Sequence, residues 1–89
     1  MTKVRIPPTL RAEVGGEREV IGEGETVREV LEDVAGRYPA LEGLLFESGA
    51  IAPFVNVYLG GEDVRTLDGL ETRVNGSSLI LLPAMAGGR

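Results

Sequence analysis

The chain has 89 residues, 43% of them apolar, which is enough for one small globular domain and too many for a disordered chain. It has no cysteine and no histidine, which excludes disulfides, thiolate metal sites and imidazole acid–base chemistry. Net charge is −5, with Lys3 the only lysine and the arginines scattered, so no basic stripe is available for a phosphate backbone and nucleic acid is not an expected partner.

Val4-Arg5-Ile6 alternates and stops at Pro7-Pro8, which predicts a short first strand. Gly15-Gly16 is a turn signal, and Glu17 to Ile21 then reads as a second strand paired with the first as a hairpin. The helix follows. Thr26 is a good N-cap, and Glu29 three residues later completes a capping box. Val27, Val30, Leu31 and Val34 form one apolar stripe at helical spacing, and Tyr38 extends it. Arg28 with Glu32, and Asp33 with Arg37, are placed for weak ion pairs on the exposed face. Pro39 ends the helix, because the residue before proline avoids the α region. Leu41, Leu44, Leu45 and Phe46 suggest a short second helical turn closing over the core.

Pro53 to Leu59 reads as the strongest strand. Gly60-Gly61 turns the chain into a short return segment, Glu62-Asp63-Val64-Arg65. Leu67 and Leu70 sit in a connection, Asn75-Gly76 is another turn, and Ser78 to Pro83 is the final strand. The order is β-β-α-β-β with a short extra strand. It predicts an α+β fold: a mixed four- to five-stranded sheet with one main helix packed on one face. Residues 1–83 form the expected domain and residues 84–89 a slender tail.

The other face of the sheet meets solvent or a partner. Alternation divides the strands. If Val55, Val57, Leu79 and Leu81 face the helix, then Phe54, Tyr58, Ile80 and Leu82 form an outer apolar patch that leads to Met85. A patch of this kind usually marks an interaction site. Asn56 shares that face and bonds either a partner or the neighbouring strand. Glu62-Asp63 is too small a set for a metal site. Gly15-Gly16 and Gly60-Gly61 read as turns, since neither opens a helix with a following Lys-Ser/Thr. No window reaches the length of a membrane span, and Met1 to Pro7 lacks the apolar run of a signal peptide. The expected setting is cytoplasmic, with no membrane partner. The acidic surface favours solubility first and encounter with a basic partner second.

The tail is Ala84-Met85-Ala86-Gly87-Gly88-Arg89. Two glycines after a last strand allow close approach of a partner backbone and φ values that other residues avoid. With so little reactive side-chain chemistry available, the expected chemistry lies on a main-chain carboxylate near this end.

A β-β-α-β-β chain of this length with a Gly-Gly tail resembles the ubiquitin-like sulfur-carrier family of MoaD and ThiS proteins, which have the β-grasp fold. Val4-Arg5-Ile6-Pro7-Pro8-Thr9-Leu10-Arg11, Phe54 to Tyr58, Glu62-Asp63-Val64-Arg65 and Leu81 to Gly88 look most similar to the CysO branch. The resemblance implies a carrier rather than an enzyme, with no cofactor of its own. An E1-like adenylating enzyme would activate the Gly88 carboxylate with ATP. Sulfide or a persulfide would then displace AMP to give a thiocarboxylate. The CysO branch implies cysteine biosynthesis, with a pyridoxal-phosphate-dependent (PLP-dependent) cysteine synthase as acceptor enzyme and a JAMM-type metallopeptidase. Gly87, Ala86 and Met85 would give tail access. Tyr58, Phe54, Ile80 and Leu82 would contact partners. Arg89 departs from the family pattern, so its removal is expected before Gly88 reacts. The alternatives are the small subunit of molybdopterin synthase and a ubiquitin-like protein modifier.

Overall fold

The computed structural model describes residues 1–83. The expected tail and its candidates Met85, Ala86, Gly87, Gly88 and Arg89 lie outside the described residues. Seven strands and two α-helices occur among the described residues: β1 (Thr2–Arg5), β2 (Glu19–Gly22), α1 (Val27–Arg37), α2 (Glu42–Leu45), β3 (Phe46–Glu47), β4 (Ala50–Ile51), β5 (Val55–Leu59), β6 (Glu62–Asp63) and β7 (Leu79–Pro83). Five strands form one mixed sheet in the order β2-β1-β7-β5-β6. β1 and β7 run parallel at its centre, and the other pairs are antiparallel. A parallel pair needs a long crossover, which here contains α1.

Thr26 Oγ1 accepts from the Glu29 N–H at 3.2 Å, as a capping box requires. The return arm closes one residue early: the Glu29 carboxylate accepts from the Glu25 N–H at 2.8 Å, not from Thr26. Gly24 makes this possible, since a Cβ there would lie 2.5 Å from the Glu29 Cβ. The stripe Val27, Val30, Leu31, Val34 is fully buried against the sheet, and Tyr38 packs at its rim. Each such aliphatic side chain contributes about 1.5–3 kcal/mol relative to exposure, against about 0.3–0.5 kcal/mol for a helix-surface ion pair. Burial therefore sets where the helix lies. Of the two expected ion pairs, Asp33–Arg37 forms at 3.1 Å. Arg28 instead pairs with Glu71 at 2.7 Å, because the 3-10 turn Gly69–Glu71 packs beside α1.

Other differences are local. β1 covers Thr2–Arg5 rather than Val4–Ile6, although the Ile6 N–H still bonds the Arg18 carbonyl at 2.8 Å. β2 starts at Glu19 rather than Glu17. Pro8–Val14 is a 3-10 segment that seals one end of the core with Val14. Phe46 leaves the second helical turn and opens a small ribbon with β4, turned by Ser48 and Gly49 at φ 54° and 79°. The final strand begins at Leu79.

Candidate functional site

Strand register builds the candidate face. β5 and β7 pair Val55 with Pro83, Asn56 with Leu82, Val57 with Leu81, Tyr58 with Ile80 and Leu59 with Leu79. Val55, Val57, Leu79 and Leu81 are buried on the helix side. Opposed residues share a face, so Asn56, Tyr58, Ile80 and Leu82 stand on the outer side. Leu82 is 43% exposed, and Tyr58 and Ile80 are half-buried. These three predicted residues are therefore brought together.

Phe54 is not among them. β5 begins at Val55, and Phe54 sits in a turn closed by the Val55 N–H on the Ala52 carbonyl at 3.2 Å. The predicted alternation breaks there because Pro53 and Phe54 belong to the turn rather than the ladder. Phe54 is 49% exposed and lines a separate apolar groove of about 210 Å³ with Thr9, Leu10, Leu44, Val55 and Pro83. The groove lies where β7 ends. Leu10 and Leu44 come from the helical layer, so alternation along the strands carried no signal for it.

Arg65 holds this corner. Its guanidinium donates to the Ala52 and Val55 carbonyls and to Asn56 Oδ1, each at 2.9 Å. Its own N–H donates to Asp63 Oδ1 at 2.9 Å, so Asp63 caps the 3-10 turn Val64–Thr66. Asn56 thus bonds within the chain. The planar guanidinium suits this task because it offers several donors in a fixed fork.

The outer face also carries residues that the patch reading left out. β1 alternates Thr2 and Val4 inward with Lys3 and Arg5 outward. β1 lies beside β7, and Arg5 stands opposite Ile80. The signal for Lys3 and Arg5 was present in the β1 alternation, but their neighbour across the sheet was not.

Residues 4–88 match the ThiS family. The chain is similar to the sulfur carrier protein CysO of Mycobacterium tuberculosis, with 38% identity over 89 residues covering 96% of each chain. It is also similar to the small archaeal modifier protein 3 of Haloferax volcanii, 35% identical over 90 residues covering 97% of each. A chain in the crystal structure of the Amycolatopsis orientalis BexX/CysO complex superposes with a TM-score of 0.90 at 42% identity, covering 99% of this chain and 100% of that one. With nearly its whole length matched in sequence and in fold, this chain belongs to the ThiS family and has its ubiquitin-like β-grasp fold.

Proposed function

We propose that the protein is a sulfur carrier whose reactive group is the Gly88 carboxylate. The observation that carries this reading is the 38% identity to a sulfur carrier along 96% of the chain. The family match extends through Gly87 and Gly88. A carboxylate is a poor acyl donor because oxide would have to leave. Attack of the Gly88 carboxylate on the α-phosphate of ATP, with loss of pyrophosphate, makes an acyl adenylate. Sulfide then attacks the acyl carbon and AMP leaves, giving a thiocarboxylate. This is activation by a covalent intermediate. An E1-like enzyme supplies the ATP site, so the carrier is a co-substrate. Residues 1–83 are its docking body and residues 84–89 its delivery arm, with Ala86 and Gly87 keeping the arm narrow.

Arg89 follows Gly88, so the bond between them must be cut before the carboxylate is free. A JAMM-type metallopeptidase is the proposed cutter. The proposed acceptor chemistry is cysteine formation on a PLP-dependent synthase, as the likeness to CysO suggests. Intact-mass spectrometry of protein from its native host tests the reading. The expected species ends at Gly88 and carries one oxygen-to-sulfur exchange. Only chains still holding Arg89 under sulfur-demanding growth would sink it.

A second reading is supported by the 35% identity to an archaeal modifier protein. In it, Gly88 is joined to lysines of other proteins. Covalent ladders on denaturing gels, lost on Gly88 deletion, are its expected sign.

A further inference from the structure

We infer that the groove at the end of β7 is the seat of this chain's own Met85, which anchors the root of the tail against the helical layer. The docking stands on the groove alone; only its consequence for delivery rests on the carrier reading. Thr9, Leu10, Leu44, Phe54, Val55 and Pro83 line about 210 Å³. Thr9 is the one residue among them with a polar side chain, so the groove rewards an apolar occupant and offers little to a charged one. Phe54 is 49% exposed, yet the turn that carries it is held on both sides by the Arg65 guanidinium, through the Ala52 and Val55 carbonyls at 2.9 Å each. The backbone under the ring is therefore ordered before anything binds, which lowers the cost of filling the groove.

Position, phase and chemistry choose the occupant. Pro83 is the last described residue and is itself part of the wall, so the chain leaves the body at the groove. Met85 is two residues on, within about 7 Å at the rise of a strand. Leu79 and Leu81 are buried on the helix side, and Pro83, opposite Val55, follows them in the period of two. One more step of that alternation gives Met85, on the side where Leu10 and Leu44 stand. Residues 84–89 hold one apolar side chain larger than alanine, and it is Met85. An unbranched thioether fills irregular gaps, and its sulfur gains from an aromatic ring such as that of Phe54. A tether of two residues gives it an effective concentration on the order of millimolar, which a separate protein must overcome.

The consequence concerns reach. With Met85 seated, a partner meets only Ala86, Gly87 and Gly88, about 10 Å of extended chain. Delivery into a deeper channel requires Met85 to leave, and the vacated groove is then open to the partner.

The test is NMR of the chain ending at Gly88 with methyl-labelled methionine, together with oxidation of Met85 by dilute peroxide followed by mass spectrometry. A peptide of residues 84–88 gives the reference for an undocked Met85. In the chain, the Met85 methyl is expected to contact the Phe54 ring and the Leu10 and Leu44 methyls and to lie upfield of its position in the peptide. Its oxidation is expected to be about two- to tenfold slower than in the peptide. Phe54→Ala, at an exposed position and checked for folding by circular dichroism, is expected to abolish both differences. Met85→Ser, which lies after β7 and leaves the core untouched, is expected to move the Phe54 ring and the Leu10 and Leu44 methyl shifts. Peptide-like shift and oxidation rate in the chain overturn the inference. Contacts of Met85 with Tyr58, Ile80 or Leu82 instead, or contacts seen only between copies in a mixed-label sample, overturn it as well. A Gly88 thiocarboxylate on a chain whose Met85 is undocked keeps the carrier reading and removes this inference; a docked Met85 with no thiocarboxylate does the reverse.

Discussion

Strands β5 and β7 carry aliphatic or aromatic side chains on both sides, and the two sides have different work. Val55, Val57, Leu79 and Leu81 are buried in the core that also holds the α1 stripe. Tyr58, Ile80 and Leu82, one residue out of phase, remain at least partly exposed. The inner row is held by the need to remove apolar surface from water, which is what makes a small domain fold. The outer row gives folding much less. Apolar residues kept on a surface without a folding reward point to a partner that covers them. The difference separates residues that maintain the carrier body from residues that present it.

That separation can be broken most directly at neighbouring positions. Leu81→Ala is expected to cost about 2–5 kcal/mol in urea unfolding, the range for emptying a buried leucine site. Leu82→Ala is expected to stay within about 1 kcal/mol, as surface changes do, while weakening enzyme binding by about tenfold. Similar stability losses at both positions would erase the distinction between the faces.

The next largest effect concerns the sealed side. Gly22 lies where β2 meets α1, and a Cβ there would sit 2.7 Å from Val30 Cγ1 and 2.8 Å from the Val30 carbonyl oxygen. Gly22→Ala is expected to destabilise by about 1–3 kcal/mol through overpacking, measured as a lowered denaturant midpoint. A neutral result would mean that α1 moves outward freely.

The groove beside the end of β7 gives a smaller test. Arg65→Ala removes two hydrogen bonds to the turn that carries Phe54 and one to Asn56 beside it. The expected loss is about 1–2 kcal/mol, with changed chemical shifts for the Phe54 ring. Arg65→Lys is not expected to restore the turn, since an ammonium lacks the planar fork. Unchanged Phe54 shifts in Arg65→Ala would show that the turn stands without the clamp. The smallest effect is at the helix surface. Arg28→Ala breaks the pair with Glu71 and is expected to cost about 0.2–1 kcal/mol, less at high salt.

Much of the fold was readable because its causes are local. The Thr26 cap, the Val27–Val34 stripe and the stop at Pro39 all lie within one short stretch, and the helix follows them closely. Asn75-Gly76 takes φ of 48° and 80°, the left-handed pair that such a turn needs. The β3–β4 ribbon was not readable, since two-residue strands have no period to detect. Tyr58, Ile80 and Leu82 emerged from alternation, whereas Phe54 was assigned to the same row by carrying that alternation back through a turn. Arg28 chose Glu71 over Glu32 because a turn 43 residues away packs beside the helix.

By itself, the sequence determined the main helix, the longer strands with their inward and outward rows, and the Gly87-Gly88 ending, since each depends on residues close along the chain. Only the tertiary structure decided which strands are neighbours. The parallel pairing of β1 with β7 set Arg5 opposite Ile80, which pairs in turn with Tyr58. Packing of the helical layer on the end of β5 and β7 gathered Leu10, Leu44, Phe54 and Pro83 into one groove. The physical reason is that these juxtapositions arise from burying α1 against a five-stranded sheet. That burial joins residues whose separation along the chain leaves no local pattern to read.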